Sequence, residues 1–528
     1  MFFFFIFEMV AALQYEDAIL FHWKGNLTSN SITMKVFTRQ ESMLNFRIIS
    51  WDLKNIENFS LLNVNQSNES PIILQFQNLK PNTQYFYIFE FYDIENITSK
   101  YLRTVYNKEK DYEFTTEFDQ PMFSFKTFGL IGQPYTFNFS ASGCARTASI
   151  SNIFLDIYQN TYPQFFFMLG DLHYRDINTD SIDEFDFAYK QVFGSTTQRY
   201  LYQQVPIEYQ FDDHDFGKND ADGNSPTRNI ANLLYWKYVP HGNLHNYQPL
   251  IQDEELAQFP QEVKNIDSIN EENIGTYRYQ IIGRTIIITV DLRTFQNLEV
   301  LGDQFGNFSN ARSILGKQQR QWLITILDKV AITDWIQAVI FISSVNFHGD
   351  TWDMFPHEQL LIADKLQNIQ EVLEKQVLIV SSDSHMTAMK NGYNSYIQNL
   401  GLKYKYGLQE TMCGSLDKSG SCKTQPLTFG PWLGKNHYTN IEIQDSQLRT
   451  CIIIRAFEKT SQLFFYNTCD DNLKSLEGKV KCPFDVLMRV VYVIASLLVS
   501  FGFLIIIYLI VKKCHKNSMR YSLVMREK

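Results

Sequence analysis

The sequence FFMLGDLHYR at residues 166–175 is the clearest indication of the fold. It continues an apolar run that begins at Pro163, and such a run is typical of a buried strand in a layered sheet. Gly170 permits a sharp turn where this strand ends. Polar side chains then follow at the carboxyl end of the strand, where open α/β sheets bind their ligands: Asp171, His173, Tyr174 and Arg175. The stretch therefore predicts a ligand site at a sheet edge.

Three other segments place polar groups directly after predicted strands. They are SASGCART at 140–147, DDHDFGKND at 212–220 and SSDSH at 381–385. Buried groups of this kind are costly unless they are paired or coordinated. Any one segment alone would indicate a surface loop or a structural core group. If the strands are parallel neighbours, all four clusters meet at one edge, so together they predict a shared metal site.

The residue types in these segments fit a two-metal phosphoester hydrolase. A carboxylate such as Asp171 bridges two cations about 3.5–4 Å apart, and a metal-bound hydroxide then serves as the nucleophile. Thiolate and phenolate groups, here Cys144 and Tyr174, favour a transition metal, whereas carboxylate and amide oxygens favour a harder cation. We expect Arg175 to hold a phosphate oxygen and His214 to protonate the leaving group or stabilise phosphoryl charge.

The motif GDxxY at 170–174 resembles a signature of metallophosphoesterases. Together with the other three segments it is similar to the alkaline phosphatase D (PhoD-like) branch, and the resemblance covers about residues 15–470. It implies a four-layer α/β/β/α sandwich preceded by a small all-β sandwich. It also implies hydrolysis of phosphomonoesters or phosphodiesters. The characteristic metals are iron and calcium, with zinc, manganese or magnesium as alternatives.

The resemblance also assigns residues to the predicted site. Cys144, Asp171 and Tyr174 match iron ligands, with Asp171 facing the second metal as well. Arg175 matches an arginine that contacts phosphate. The remaining metal-site motifs contain Asp213, Asn219, Asp383 and His385.

Ser382 stands where the family usually has glycine before Asp383, and Phe211 stands where it often has tryptophan. Neither change removes a ligand, but we expect the serine to crowd a turn that prefers glycine. Ser382 is therefore the best argument for a competing hypothesis, a non-catalytic surface receptor that keeps the fold and binds a phosphorylated ligand. Six nearby polar residues are interpreted as structural: His173, Asp212, Asp215, Asp220, and an ion pair of Asp291 with Arg293.

Residues 15–120 contain short runs rich in aromatic and β-branched residues, which predict strands. The segment LKPNTQY at 79–85 resembles the tyrosine corner of fibronectin type III and immunoglobulin-like domains, in which the Tyr hydroxyl ties back to nearby backbone. We expect a spacer domain there. Strands alternate with helices over 134–470, which predicts the α/β domain. Loops at 194–204 and 248–273 are expected to form the walls of the substrate pocket.

The chain ends predict a single-pass type I membrane protein. Residues 1–14 are a candidate signal peptide, and 471–489 form a juxtamembrane segment. Residues 490–511 are apolar and long enough to span a bilayer. The basic segment 512–528 is then a cytoplasmic tail, which puts the catalytic domain outside the cell or in the lumen of the endomembrane system.

The remaining features of the sequence bear on the partners and on the compartment of the protein. The net charge of −10 argues against a nucleic-acid partner, and no partner protein is indicated besides a small phosphoester substrate and the membrane. A cytosol-facing, tail-anchored phosphatase is the alternative, and a glycan on Asn26 or Asn96 would exclude it. We expect disulfides between Cys413 and Cys422 and between Cys469 and Cys482, with Cys451 as a buried thiol. Asn-x-Ser/Thr sites occur at Asn26, Asn58, Asn65, Asn68, Asn96, Asn138 and Asn307.

Overall fold

The computed structural model describes these residues: 19–38, 43–50, 56–63, 71–92, 104–106, 114–116, 123–240, 275–393, 407–420, 422 and 426–476. They belong to the first of two compact units, Met1–Lys479 and Val480–Lys528. No helix among the described residues combines the length and apolarity needed to cross a bilayer. The predicted signal peptide, membrane span, basic tail and loop 248–273 lie outside the described residues.

Twenty-two strands are found in the described residues. In chain order they are β1 (Ile19–Gly25), β2 (Ile32–Thr38), β3 (Met43–Ser50), β4 (Ile56–Asn63), β5 (Ile72–Phe76), β6 (Gln84–Tyr92), β7 (Thr104–Tyr106), β8 (Phe114–Thr116), β9 (Phe123–Lys126), β10 (Phe137–Ser142), β11 (Phe165–Leu169), β12 (Ile207–Gln210), β13 (Arg278–Ile282), β14 (Thr285–Thr289), β15 (Ala338–Ile342), β16 (Gln376–Ser381), β17 (Thr387–Lys390), β18 (Glu410–Cys413), β19 (Phe429–Trp432), β20 (His437–Asp445), β21 (Thr450–Glu458) and β22 (Ser461–Asn467).

The helices of the same residues alternate with the strands from β10 onward. They are α1 (Ile153–Thr161), α2 (Ile182–Gly194), α3 (Thr196–Gln204), α4 (Asp213–Phe216), α5 (Arg228–Tyr238), α6 (Gly316–Ile332), α7 (Pro356–Gln367) and α8 (Asp471–Lys474). Short 3-10 turns occupy Asp303–Phe308 and Asp350–Met354, and a π-helical turn, Asn368–Val372, continues α7.

Two large sheets form the centre of the α/β region. One has the order β12-β11-β10-β20-β21-β22, and the other has the order β13-β14-β15-β16-β18-β17-β19. In the first sheet β10, β11 and β12 are parallel neighbours. In the second sheet β14, β15, β16 and β18 are parallel neighbours. Parallel strands present all their carboxyl ends at one edge, so each sheet has one edge suited to a ligand site.

Side-chain alternation along the strands sorts these elements into four layers. Phe165 and Phe167 point between the two sheets, where they join one apolar core with residues such as Ile340 and Leu378. Phe166 and Met168 point the other way, into a second core formed with α1, α2, α3 and α5. A third core lies between the seven-stranded sheet and helices α6 and α7. The two-residue period of a strand thus places helices outside each sheet.

The segment expected to be a loop at 194–204 is instead the helix α3. Ser195 begins this helix because its hydroxyl accepts a hydrogen bond from the Gln198 amide. Inside the segment no glycine or proline interrupts the helix, and Leu201 and Tyr202 are buried on its inner face. The loop prediction was wrong because it relied on the polar composition of the segment and not on its amphipathic pattern.

The regular elements in the described N-terminal residues are all strands. They form a three-stranded sheet, β1-β2-β5, a four-stranded sheet, β4-β3-β6-β9, and the pair β7-β8. The Lys80 amide donates to the Tyr85 hydroxyl over 2.8 Å, which is the tie that the tyrosine-corner motif predicts. Aromatic residues of these strands share an apolar core with the six-stranded sheet, so the N-terminal strands pack directly on the α/β region.

Two buried lysines strengthen this packing. Lys24 on β1 donates to the carbonyl of Gln203 (2.6 Å), and Lys35 on β2 donates to the carbonyls of Trp236 and Lys237. These carbonyls belong to the last turns of α3 and α5, where a helix carries partial negative charge. Burial lowers the pKa of Lys35 to about 7. The carbonyl acceptors therefore offset part of the cost of burying each ammonium group.

The disulfide predictions were wrong in their pairing. Cys451 is bonded to Cys469 and is not a thiol. Cys413 has a free, buried thiol, so it is not the partner of Cys422, which is itself disulfide-bonded. Cys451 is in β21 and Cys469 follows β22, and these adjacent antiparallel strands bring the two together. The disulfide therefore joins cysteines from paired strands, and not cysteines that flank a short loop.

Candidate metal centre

The four predicted segments come together, but from both sheets. Three of them follow β10, β11 and β12 at the carboxyl edge of the six-stranded sheet, as expected for parallel neighbours. The fourth, 381–385, follows β16 of the seven-stranded sheet. Contacts between the edges show that they face each other: Ser344 donates to Asp212 over 3.0 Å, and Tyr174 lies 2.8 Å from His385. The site therefore lies where two sheet edges meet.

The backbone turns sharply at three of these four strand ends, those of β10, β11 and β16. Cys144, Asp171, Asp383 and His385 all have positive φ angles, between 54° and 65°. Such angles are unfavourable for residues with a Cβ and are concentrated at functional sites. Gly170 precedes Asp171 with φ of 91°, and a Cβ there would lie 2.5 Å from the Cβ of Asp212. The turns hold polar side chains in a fixed cluster at the cost of local strain.

Three overlapping groups of side chains have the spacing of a metal site. In each group the potential ligand atoms lie within 4.8 Å of one another: Cys144, Asp171 and His385; Asp171, Asp213 and His214; Asp212, Asp213 and Asp383. Asp171 belongs to the first two groups, and Asp213 belongs to the last two. The three groups thus form one continuous centre with room for more than one cation.

Tyr174 connects the first group. Its hydroxyl donates to Asp171 Oδ2 over 2.6 Å and lies 2.8 Å from His385 Nε2. Burial, followed by the Cys144 and Asp171 charges, raises the pKa of Tyr174 far above its ordinary value. Burial and the charges of Asp171 and Asp383 likewise raise the pKa of the Cys144 thiol. In the metal-free chain both groups stay protonated, and a bound cation would favour their deprotonated forms.

The carboxylates are arranged around one buried arginine. Arg293 Nε donates to Asp212 Oδ1 over 2.5 Å, and its NH2 group lies 3.9 Å from Asp213 Oδ1. Burial and then the neighbouring carboxylates raise the pKa of Asp171 well above its usual value. Burial acts to raise the pKa of Asp213 as well, but the charges of Arg293 and His214 outweigh it and lower that pKa. One arginine does not balance so many buried carboxylates.

These side chains fit a cation on an independent observation. Asp171 Oδ1, Asp212 Oδ2 and Asp213 Oδ1 are buried and have no hydrogen-bond donor among the described residues. Buried carboxylate oxygens are rarely left unsatisfied in folded proteins. The donor atoms of the three groups also suit metal ions. One group offers oxygen alone, and the other two combine oxygen with nitrogen or with nitrogen and sulfur. The cluster is therefore better explained as a metal centre than as a network of hydrogen bonds.

His214, a member of the second group, is held in place from two sides. Its Nδ1 is 2.6 Å from Asp176 Oδ1, and its ring centroid is 4.1 Å from that of Tyr174. Asp176 is more than half exposed, so it does not belong to the buried cluster. Asp176 was not predicted from the sequence, although it is only two residues after Tyr174. The pair gives the site a carboxylate-oriented imidazole at its mouth.

Two predicted site residues lie further out. Arg175 is exposed, and its guanidinium carbon is 5.3 Å from the centroid of the Phe187 ring. Asn219 is exposed, and its amide donates to Asp220 over 2.6 Å. The Asp220 amide in turn donates to Asp213 Oδ2 over 2.6 Å. Asp220 thus positions Asp213 through its backbone.

Of the neighbouring residues interpreted as structural, Asp220 is exposed and the others are buried. His173 lies against the Phe185 and Tyr189 rings, and burial lowers its pKa to about 3, so it is neutral. Asp215 accepts from the backbone amides of His173 and Asp212, and burial raises its pKa to about 7. Asp212 differs from these because it belongs to a candidate metal group.

The predicted ion pair between Asp291 and Arg293 is wrong. The guanidinium of Arg293 binds Asp212 across the two sheets. The Asp291 carboxylate instead accepts hydrogen bonds from the backbone amides of Thr276, Arg293 and Thr294. Only Leu292 separates this aspartate and arginine in sequence, which suggested a local pair. The partner of Arg293 lies 81 positions away, and only the meeting of the sheets brings it close.

Ser382 fits its position without strain. Among the described residues with positive φ it is Asp383, and not Ser382, that adopts the left-handed conformation. The Ser382 hydroxyl donates to the Gly414 carbonyl over 3.2 Å and lies 3.8 Å from Cys144 Sγ. Gly143 leaves the space, since a Cβ there would be 2.6 Å from the Ser382 hydroxyl oxygen. The expected crowding does not occur, because glycine stands on the other side of the contact.

A buried histidine of the seven-stranded sheet lies after β15. His348 Nδ1 is 2.7 Å from Glu410, which also accepts from the Phe347 and His348 amides and from Ser381. Burial acts to raise the pKa of Glu410, but its hydrogen bond to His348 and that residue's charge outweigh it and lower the pKa. Glu410 was not identified from sequence, because it is the first residue of an otherwise ordinary strand.

Potential metal ligands on the facing edges of two sheets are typical of metal-dependent hydrolases. The chain belongs to the PhoD-like phosphatase family, whose model matches residues 139–447. That range contains every segment of the candidate centre.

Solved structures agree with this assignment at the level of the fold. A structure of PhoD is 13% identical, with a TM-score of 0.59, and the match covers 85% of this chain and 92% of that chain. Purple acid phosphatase PPD1 from yellow lupin (Lupinus luteus) seeds is 11% identical, with a TM-score of 0.50, covering 85% of this chain and 74% of that chain. A comparison with curated proteins finds no matching sequence.

We predict that Gly143→Ala disrupts the centre, because the new methyl group would meet the Ser382 hydroxyl at 2.6 Å and the Leu169 carbonyl at 3.0 Å. Overpacking of this kind costs about 1–3 kcal/mol. Urea unfolding should show the loss of stability, and elemental analysis should show a lower metal content.

The double variant Gly143→Ala/Ser382→Gly should recover part of that stability, because it removes the closest contact. Gly194→Ala is the matched control, since its Cβ would meet nothing within 4 Å. Equal effects of the alanine at positions 143 and 194 would contradict the close approach at Ser382.

Proposed function

We propose that the protein hydrolyses phosphomonoesters, phosphodiesters or both at a two-metal centre. One observation carries the proposal: Asp171 is shared by two candidate metal groups, and one of its buried carboxylate oxygens has no donor among the described residues. A carboxylate that faces two clusters is the arrangement needed to bridge two cations. Membership of a phosphatase family supports the reaction class.

The donor types support two different metals. Cys144, Tyr174 and His385 offer sulfur, phenolate and nitrogen beside Asp171, which suits iron. Asp212, Asp213 and Asp383 offer oxygen only, which suits calcium, magnesium or manganese. Asn219 would add its side-chain oxygen to the second set, since its bond to Asp220 uses only the amide nitrogen. Bound cations in such a centre lower the pKa of a coordinated water and neutralise phosphate oxygens.

The chain's own residues have separate tasks in this proposal. Arg293 and Ser344 fix Asp212 and so hold the carboxylates in place. His214 delivers a proton to the leaving oxygen, and Asp176 orients the imidazole for that step. Arg175 stands at the rim, where it can meet the part of the substrate that extends outward. The orientation of His214 matters most when the leaving group is a poor one.

Asp171→Asn should abolish the function. The amide keeps the shape but cannot bridge two cations, and losing even an outer partner of a metal ligand already costs roughly 10–100-fold. We expect hydrolysis of nitrophenyl phosphate and bis-nitrophenyl phosphate to fall by more than that range, together with iron content.

Asp183→Asn, an exposed change in the first turn of α2, is the matched control and should behave as the wild type. A wild-type protein that holds metal but hydrolyses neither ester would instead favour the receptor hypothesis. Binding of a phosphorylated ligand without turnover would then be the activity to measure.

Asp176→Asn should separate leaving groups. The variant loses the charge that orients His214, so proton delivery weakens while the metal centre stays intact. We expect kcat for an alkyl phosphate to fall roughly 10–100-fold, and kcat for nitrophenyl phosphate, whose leaving group needs little protonation, to change far less.

KM and metal content should be unchanged in the Asp176 variant. An equal fall in kcat for both esters would show that Asp176 supports the fold of the site and not a proton transfer. Asp180→Asn, an exposed change four residues along the same loop, serves as its control.

We also propose that this domain faces the exterior or the lumen, held there by the membrane span predicted at 490–511. The disulfide between Cys451 and Cys469 supports the placement, because such bonds persist in oxidising compartments. The sequons support it unequally. Asn307 is exposed, whereas the Asn138 amide is used inside β10, where it donates to the Thr161 carbonyl over 3.0 Å.

Expression in a secretory host should therefore give a glycan on Asn307 and none on Asn138. Asn307→Gln would abolish one glycosidase-sensitive shift in gel mobility, and Asn138→Gln would abolish none. Complete absence of glycan from the full-length chain would support the tail-anchored, cytosol-facing alternative.

A further inference from the structure

A short segment after β18, residues 414–420, covers one side of the candidate centre. We call it the 414–420 loop. The Leu416 amide donates to the Gly143 carbonyl over 2.9 Å, and Asp417 accepts from the Arg146 amide. The Ser419 carbonyl lies 2.8 Å from His385 Nδ1. The loop is thus attached both to the Cys144 turn and to His385, so its position is fixed relative to the centre.

The close fit of this loop depends on glycine at both ends. A Cβ at Gly414 would lie 2.2 Å from the Thr387 hydroxyl, and one at Gly420 would lie 1.9 Å from the His385 carbonyl. The Lys418 amide donates to the Ser415 hydroxyl over 2.8 Å, which holds the backbone at the middle of the loop. Lys418 is therefore presented by a rigid backbone.

The Lys418 ammonium lies next to the centre. Its Nζ is 3.5 Å from the centroid of the Tyr174 ring. The hydroxyl of that ring contacts Asp171 at 2.6 Å and His385 at 2.8 Å. Among the described residues the ammonium makes no hydrogen bond to a carbonyl and no salt bridge to a carboxylate. A cation–π contact engages the charge but leaves hydrogen-bond donors for an anion.

Arg175, the residue that sequence resemblance assigns to phosphate, is differently placed. It is exposed on the ring of Phe187. Lys418 is the cation that lies against the Tyr174 ring of the centre itself. A point charge on a flexible stem suits a phosphoryl group that carries two negative charges more than one that carries a single charge.

We propose that Lys418 binds a non-bridging phosphoryl oxygen of the substrate and favours dianionic phosphomonoesters over monoanionic diesters. This inference rests on the proposed phosphoesterase function and assigns its substrate class. The 414–420 loop is then a specificity element of the site. Charge-assisted hydrogen bonds of this kind correspond to roughly 10–100-fold in affinity.

The test uses the full-length, metal-loaded protein and three variants. Lys418→Met keeps an apolar stem against Tyr174 without the charge, Lys418→Arg keeps the charge, and Lys459→Met removes an exposed charge from the turn between β21 and β22 as a control. For each we would measure kcat and KM for nitrophenyl phosphate and bis-nitrophenyl phosphate, calorimetric binding of inorganic phosphate, and metal content.

We expect Lys418→Met to raise KM for the monoester and Kd for inorganic phosphate by roughly 10–100-fold, with a smaller change for the diester. Metal content should not change, and Lys418→Arg should recover much of the loss. A packing role alone would lower stability without changing phosphate binding.

Two results overturn the inference, and they differ in what else they overturn. If the wild type hydrolyses esters but Lys418→Met behaves as Lys459→Met does, Lys418 does not bind phosphate, and the phosphoesterase function stands. If the metal-loaded wild type neither hydrolyses either ester nor binds phosphate, both this inference and the proposed function fail.

Discussion

The structure depends on one constraint, the gathering of buried carboxylates where two sheet edges meet. Asp171, Asp212 and Asp213 follow neighbouring parallel strands, so the topology forces like charges together. Arg293 from the opposite sheet binds Asp212. Burial acts to lower the pKa of Arg293, but the carboxylates outweigh it and raise it. This ion pair joins the sheets, and the negative charge that it leaves uncompensated is what makes the site suited to cations.

The surrounding layers keep this arrangement rigid. Alternating side chains of β11 fill cores on both faces of the strand, and these cores fix where its carboxyl end lies. The N-terminal strands pack against the same sheet and bind the ends of α3 and α5 through Lys24 and Lys35. The N-terminal region, predicted to be a spacer domain, therefore packs against the helices behind the site. Strained turns such as the one at Asp171 persist only when the structure around them is this well packed.

Much of the fold and of the centre was readable from sequence because short-range patterns carry them. Apolar runs ending in Gly170-Asp171 or Asp212-Asp213 reveal both a strand and a ligand position. Long-range pairing is not encoded in this way. Neighbouring residues therefore suggested that Arg293 binds Asp291 and that Cys413 binds Cys422, and both were wrong. Lys418 was not predicted as a site residue because the sequence around it is typical of a polar loop. The hydrogen bonds of the 414–420 loop to the Cys144 turn show where this lysine lies.

The departure at Ser382 illustrates the same limit. A comparison of single positions marks the serine as a defect, whereas the structure shows that Gly143, on a different sheet, makes the room for it. Side chains that share a contact have to be judged together, and a sequence does not state which ones share it. The candidate ligand atoms of Cys144, Asp171 and His385 therefore stay close together in spite of this change.

The most direct test of the central claim is anomalous diffraction at the iron edge from crystals of protein purified with its native metals. We predict an iron peak within bonding distance of Cys144 Sγ, the Tyr174 hydroxyl and Asp171, and a second, iron-free cation on the Asp213 side. An ordered site with neither peak, and with the Asp171 oxygen bonded to protein groups instead, would contradict it.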